Sequence, residues 1–121
     1  MHTKQRNNFK KRQWDLGQKR CAYCCIQLNW ALDQKNSASV DHIICVVHGG
    51  TNIVDNLLLV CHSCNNSRGD MRLDKWVRSN KGIPNVSYLR NRYQRAYKSV
   101  LTHREELSRN NKRYKEFHNA I

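Results

Sequence analysis

Apolar positions fall into distinct periods along the chain. From Ser37 to Val47 the run "SASVDHIICVV" alternates and is rich in β-branched residues, which predicts a strand. "HGGTN" then predicts a turn, "NLLLV" (Asn56–Val60) a second short strand, and "CNNSRGDMRLDKW" the opening of a helix. Over Asp70–Asn80, Met71, Leu73, Trp76 and Val77 share one helical face, and Asn80, Gly82 and Pro84 stop that helix. Val86–Ile121 reads as mostly helical: Leu89, Tyr93, Tyr97 and Leu101 recur every four residues, with Val100 and Leu107 nearby, as in an amphipathic helix, while the terminal "RNNKRYKEFHN" loses the period and reads as a frayed end or a basic tail. Near the N-terminus, "NNFKKRQWDLGQ" predicts a short helix anchored by Phe9, Trp14 and Leu16. A hairpin followed by a helix, flanked by further helices, is an α+β arrangement.

These patterns divide 121 residues into a polar N-terminal arm (1–20), a dense central module (21–80) and a helical C-terminal extension (81–121). The length supports one core, and an apolar share of 39% is low for it, so a structural metal or a partner is expected to add stability. With 22 Lys and Arg against 9 acids, the formal charge is +13. Such a balance points to a polyanionic partner, nucleic acid ahead of a membrane surface. The basic N-terminal stretch has no apolar segment after it to make a signal peptide, and "LLLV" at Leu57–Val60 is far too short to span a membrane. A cytoplasmic location is therefore expected, in a bacterial host cell if the chain is phage-encoded.

Cysteine usage changes the picture further. Cys21 and Cys24 form one CxxC pair, Cys61 and Cys64 another, with 36 residues between the pairs. Two such knuckles supply the four thiolates of a tetrahedral Zn²⁺ site. Cys25 leaves open a first knuckle one residue longer, although Cys24 matches the spacing of the second pair. Cys25 and Cys45 otherwise read as small buried hydrophobes, and His62 as a residue facing away from the metal. A closed four-thiolate site has no open position, so chemistry must come from other residues.

The insert between the knuckles, "VDHI…GG…DNL…CHSCNNSRGD", resembles the HNH endonuclease family and its ββα-metal fold, in the branch that carries paired CxxC motifs. The resemblance covers about Cys21–Lys75. It implies an acid–His pair on the first strand at Asp41–His42, a loop-bracing Asn at Asn56 and a helix residue at Asn65. That last position is His in many members, so this chain shows the HNN variant. By the same resemblance the substrate is double-stranded DNA and the products carry 5′-phosphate and 3′-hydroxyl ends. Arg68 matches a position that is often basic and reads either as a phosphate contact or as a plain exposed Arg.

The chemistry stands beside the resemblance. Hydrolysing a phosphodiester requires an activated water and relief of charge on the leaving oxygen. Neutral imidazole suits the base, which assigns His42. A carboxylate and a side-chain amide are hard oxygen ligands for Mg²⁺ or Mn²⁺, which makes Asp41 and Asn65 the candidate pair. Neighbouring strand residues point to opposite faces, so Asp41 and His42 meet one phosphate only at a bent strand end or from two sides. Gly49 and Gly50 read as turn residues, and His48 as a DNA contact or a plain loop residue.

The C-terminal segment carries nine basic residues after Val86, with Arg90, Arg92, Arg95 and Lys98 the candidate DNA contacts, while Tyr88, Tyr93 and Tyr97 read as core. The expected function is a metal-dependent HNH endonuclease of a small nicking or homing type, a monomer that nicks or a homodimer that cuts both strands. Two other readings are a non-catalytic zinc-ribbon DNA-binding protein and a structure-specific or RNA-directed nuclease.

Overall fold

The computed structural model describes residues 3–120, and side-chain surroundings for 4–112. At its centre two antiparallel strands, β1 (Ala38–His42) and β2 (Leu57–Cys61), pair with Val40 opposite Leu59 and His42 opposite Leu57. Every residue of β2 is buried, because both faces of this two-stranded ribbon are covered. Helix α1 (Thr3–Asp15) precedes the ribbon, and α2 (His62–Arg68), α3 (Leu73–Ser79) and α4 (Val86–Ala120) follow it. The core joins Tyr23 and Leu28 to Leu58, Leu59 and Val60 of β2, Leu73 and Trp76 of α3, and Leu89 and Ala96 of α4.

Strand β1 ends sooner than the alternating run predicts. Ile43 still pairs through its N–H with the Asn56 carbonyl, but the next residue meets a side chain instead of a strand. Asn56 Oδ1 accepts from the Ile44 N–H at 2.8 Å, and its Nδ2 donates to Ile44 O at 3.1 Å. The backbone then turns into a 3₁₀ turn at Val46–His48, with Val46 and Val47 55% and 67% exposed. The β-branched run therefore belongs half to the strand and half to a surface turn.

The paired glycines follow from close packing. Gly49 adopts φ +93°, where its Cβ would collide with the Arg104 guanidinium, and a Cβ on Gly50 would collide with the Ile44 carbonyl. Gly50→Ala is expected to lower stability by about 1–3 kcal/mol, because the obstacle is backbone that cannot rotate away. Gly82→Ala, with open space around it, is the control. Thermal unfolding of both variants checks the difference.

Predicted and observed helices differ in two places. The helix opened by "CNNSRGD" stops at Gly69, whose φ of +54° breaks it before α3 starts anew at Leu73. On α4 the buried face is Leu89, Ala96 and Val100, with Tyr93 partly buried, a spacing of three and four residues in place of a strict four. Tyr88, Tyr97, Leu101 and Leu107 are consequently exposed, against their predicted place in the core. At the other end, Trp14 of α1 packs on the core and against Trp30, while Leu16 is exposed.

Candidate active site and metal centre

The first knuckle is a tight turn in which Cys25 N–H donates to Cys21 O, and Cys25 takes φ +65°. It is stitched to β2 by Ala22 N–H donating to Leu59 O. The second knuckle caps α2, with the Cys61 sulfur accepting from Cys64 N–H at 3.3 Å. These turns bring the sulfurs of Cys21, Cys24, Cys61 and Cys64 within 4.8 Å of one another. A tetrahedron of sulfurs about 2.3 Å from a zinc ion has edges of about 3.8 Å, and Cys24 and Cys61 sulfurs stand 3.8 Å apart. The donor set and spacing fit Zn²⁺. Burial pushes the Cys21 thiol up to about 11, and burial with the neighbouring sulfurs raises Cys64, so a bound cation would be what holds these two as thiolates. Cys25 lies outside the cluster, where its sulfur accepts from Asn85 Nδ2 at 3.1 Å, and is only half-buried. Cys45 is buried.

One side of β1 faces α2. Asn65 Nδ2 donates to Ser39 Oγ at 2.8 Å, and one turn later Arg68 Nη1 donates to Asp41 Oδ2 at 2.7 Å. Ser39 and Asp41 alternate onto the same strand face, and Asn65 and Arg68 repeat on the same helix face, so Asp41 and Asn65 share one seam. His42 leaves on the other side, where Nε2 meets Asn52 Oδ1 at 2.9 Å, and Asn52 in turn donates to Gln5 of α1. Asn56, fully buried, braces the intervening loop through Ile44 and the Thr51 carbonyl.

Arg68 departs from its expected role. It is 3% exposed, and its guanidinium donates to Asp41, the Tyr23 hydroxyl and the carbonyls of His42, Ile43 and Met71. It holds a buried carboxylate and the end of β1 in place of a phosphate. Burial opposes its charge, but the Tyr23 and Asp41 groups more than offset that and keep it protonated. Burial, then the Asp41 charge, holds the Tyr23 phenol well above its ordinary value, so its hydroxyl donates to Asp41 Oδ2. Arg68→Met, which orphans Asp41, is expected to destabilise the fold by about 3–5 kcal/mol. Adding Asp41→Asn should recover part of that loss, and urea unfolding of both variants measures it.

Arg92 is also drawn inward, donating to the carbonyls of Asp55 and Leu57, so it ties α4 to β2 and is not a free DNA contact. Arg90, Arg95 and Lys98 remain exposed on α4. His48 is exposed and its Nε2 is 3.0 Å from Asp70 O, while His62 meets Asn66 Nδ2 at 3.0 Å. The side chains of Arg113, Lys115 and Glu116 lie outside the described residues. Tyr23 and Asn52 had no motif position to mark them. The aromatic inside the knuckle and the Asn four residues before Asn56 were the available signals.

The model of the HNH endonuclease family matches residues 21–71, from the first knuckle to the turn after α2. A CRISPR-associated endonuclease Cas9 of Corynebacterium diphtheriae is 35% identical over 68 residues, covering 55% of this chain and 6% of that protein. The chain thus spans a small fraction of that relative. Among the described residues no helix is long and apolar enough to cross a membrane.

Proposed function

We propose that the HNH endonuclease domain at residues 21–71 makes this chain a divalent-metal-dependent endonuclease that hydrolyses phosphodiester bonds in double-stranded DNA. The observation that carries the reading is on the β1–α2 seam. Asp41 uses Oδ2 for Tyr23 and Arg68, and Asn65 uses Nδ2 for Ser39. Among the described residues, Asp41 Oδ1 and Asn65 Oδ1 take no protein hydrogen bond, which leaves two hard oxygen donors on one seam. That donor set fits Mg²⁺ or Mn²⁺, which when bound supplies charge relief at the leaving oxygen.

The protein's own part is positional and acid–base. His42 Nε2 is engaged by Asn52, which leaves Nδ1 to accept a proton from the attacking water. Arg68 and Tyr23 lock the Asp41 carboxylate in one orientation, and Asn56 holds the loop that carries Asn52. Exposed Arg90, Arg95 and Lys98 on α4 hold the DNA backbone, with affinity falling steeply as salt rises. One site per chain nicks a single strand, and a homodimer is required to cut both.

Supercoiled plasmid incubated with the zinc-loaded chain and Mg²⁺ or Mn²⁺ tests the reading. Open-circular product is expected before linear product, and none when the zinc-loaded chain is given neither Mg²⁺ nor Mn²⁺. A plasmid left supercoiled with both ions would reduce the chain to a DNA-binding module.

A further inference from the structure

A cleft of about 290 Å³ shares Arg68 with the proposed site and is not used by its chemistry. One wall is the segment Ile43–Cys45, which directly follows His42; the other is α4, with Tyr93 and Tyr97. The two rings are nearly parallel, 21° apart with centroids at 6.5 Å, and Tyr97 is 52% exposed. Three basic side chains stand at the rim: His48, Arg72 and Arg104. His48 is steadied by Asp70 O and Arg104 by Gly49 O, at 2.6 Å, while exposed Arg72 has no side-chain partner among the described residues. No acidic side chain lines the cleft, and the charge of Arg68 on its inner wall is already met by Asp41.

A flat aromatic face with cations around it and no acid fits a planar, anionic ligand. The volume is at the small end of ligand pockets and too small for a duplex. We propose that this cleft takes a single nucleotide of the substrate strand, turned out of its stack, with its base on Tyr97 and Tyr93 and its phosphate on Arg72 and Arg104. The inference rests on the nuclease reading, since the wall Ile43–Cys45 continues the strand that carries His42, and Arg68 on the inner wall holds Asp41. Turning a nucleotide out is easiest where it is already unpaired. The enzyme consequently favours sites with a bulged or mismatched nucleotide over perfect duplex.

Binding without cleavage tests this. The zinc-loaded chain, with no Mg²⁺ or Mn²⁺ added, is titrated with a duplex carrying one unpaired 2-aminopurine and with its fully paired counterpart. The unpaired duplex is expected to bind about tenfold more tightly, with the fluorophore quenched by stacking, a gain of the size seen for single aromatic platforms. Tyr97→Ala and Arg72→Gln should each remove most of that advantage while paired-duplex binding by Tyr97→Ala stays unchanged. Zinc content and thermal unfolding of both variants should equal those of the wild type, as both side chains are exposed. Equal binding of the two duplexes, or an advantage that survives Tyr97→Ala, would overturn the proposal. So would tight binding of free dAMP with no advantage for the unpaired strand, which assigns the cleft to a free nucleotide. Because no cleavage is needed, an intact plasmid with a persisting unpaired preference would sink the nuclease reading alone.

Discussion

Cys61→Ser is expected to leave the central module unfolded at 25 °C, and stripping the metal with a strong chelator should do the same to the wild type. Cys61 closes β2, caps α2 and is buried, so its sulfur ties three pieces of the module at one point. A two-stranded ribbon alone is marginal in water, and this one is the whole sheet. Structural zinc binding contributes about 10–16 kcal/mol in small metal domains, while entire domains are stable by about 5–15 kcal/mol. Loss of the ion is therefore comparable to the whole margin. Circular dichroism, with released zinc measured by a colorimetric chelator, follows both events, and they should coincide. Cys24→Ser should behave like Cys61→Ser, whereas Cys25→Ser should keep both metal and fold, since only Cys24 belongs to the cluster. A metal-free protein with an unchanged, cooperative unfolding transition would contradict the assignment.

Local chemistry made much of this legible in the sequence. Knuckle spacing carries the cysteine cluster, because two residues between ligands fix how a turn presents its sulfurs. The α+β order of hairpin and helix followed from a change of period from two to about 3.6. What escaped was set by contacts distant in sequence. Arg68 looked like a phosphate ligand because a basic residue three positions past Asn65 carries no mark of the acid it meets. Its partner Asp41 is 27 residues away, and Tyr23 is 45 residues away. Arg92 was lost to the DNA contacts for the same reason, being claimed by carbonyls more than thirty residues back. The strand end at His42 was hidden because Asn56, a side chain, replaces a strand partner. The packed face of α4 is rotated from the one its tyrosine spacing predicts: Ala96, too small to weigh in the pattern, marks the side that packs.

The arrangement also bears on how an acid and a histidine, adjacent on one strand, would serve the proposed site. They are parted by the strand's alternation and held by different elements. Asp41 belongs to the side of the cysteine cluster, through Tyr23 of the knuckle and Arg68 of α2, and His42 to the loop side, through Asn52. The proposed site thus spans the end of β1, and the first cysteine knuckle reaches the Asp41 carboxylate through one phenol.

His42→Ala is expected to slow plasmid nicking by about 10²–10⁴-fold, the range supplied by a positioned base, with Mg²⁺ and DNA binding little changed. His42 is half-buried and its ring makes one side-chain hydrogen bond, to Asn52, so its loss should leave the fold intact. Zinc content and the urea midpoint should match the wild type, which separates a lost base from a lost structure. Asp41 lacks that separation, since replacing it also strands buried Arg68. Salt must be held constant across the comparison, because phosphate contacts from the proposed basic face of α4 would make affinity strongly dependent on it. Single-turnover rates then report the chemical step alone. A zinc-replete His42→Ala protein that nicks at the wild-type rate would remove His42 from the role of base, whatever the seam between Asp41 and Asn65 binds.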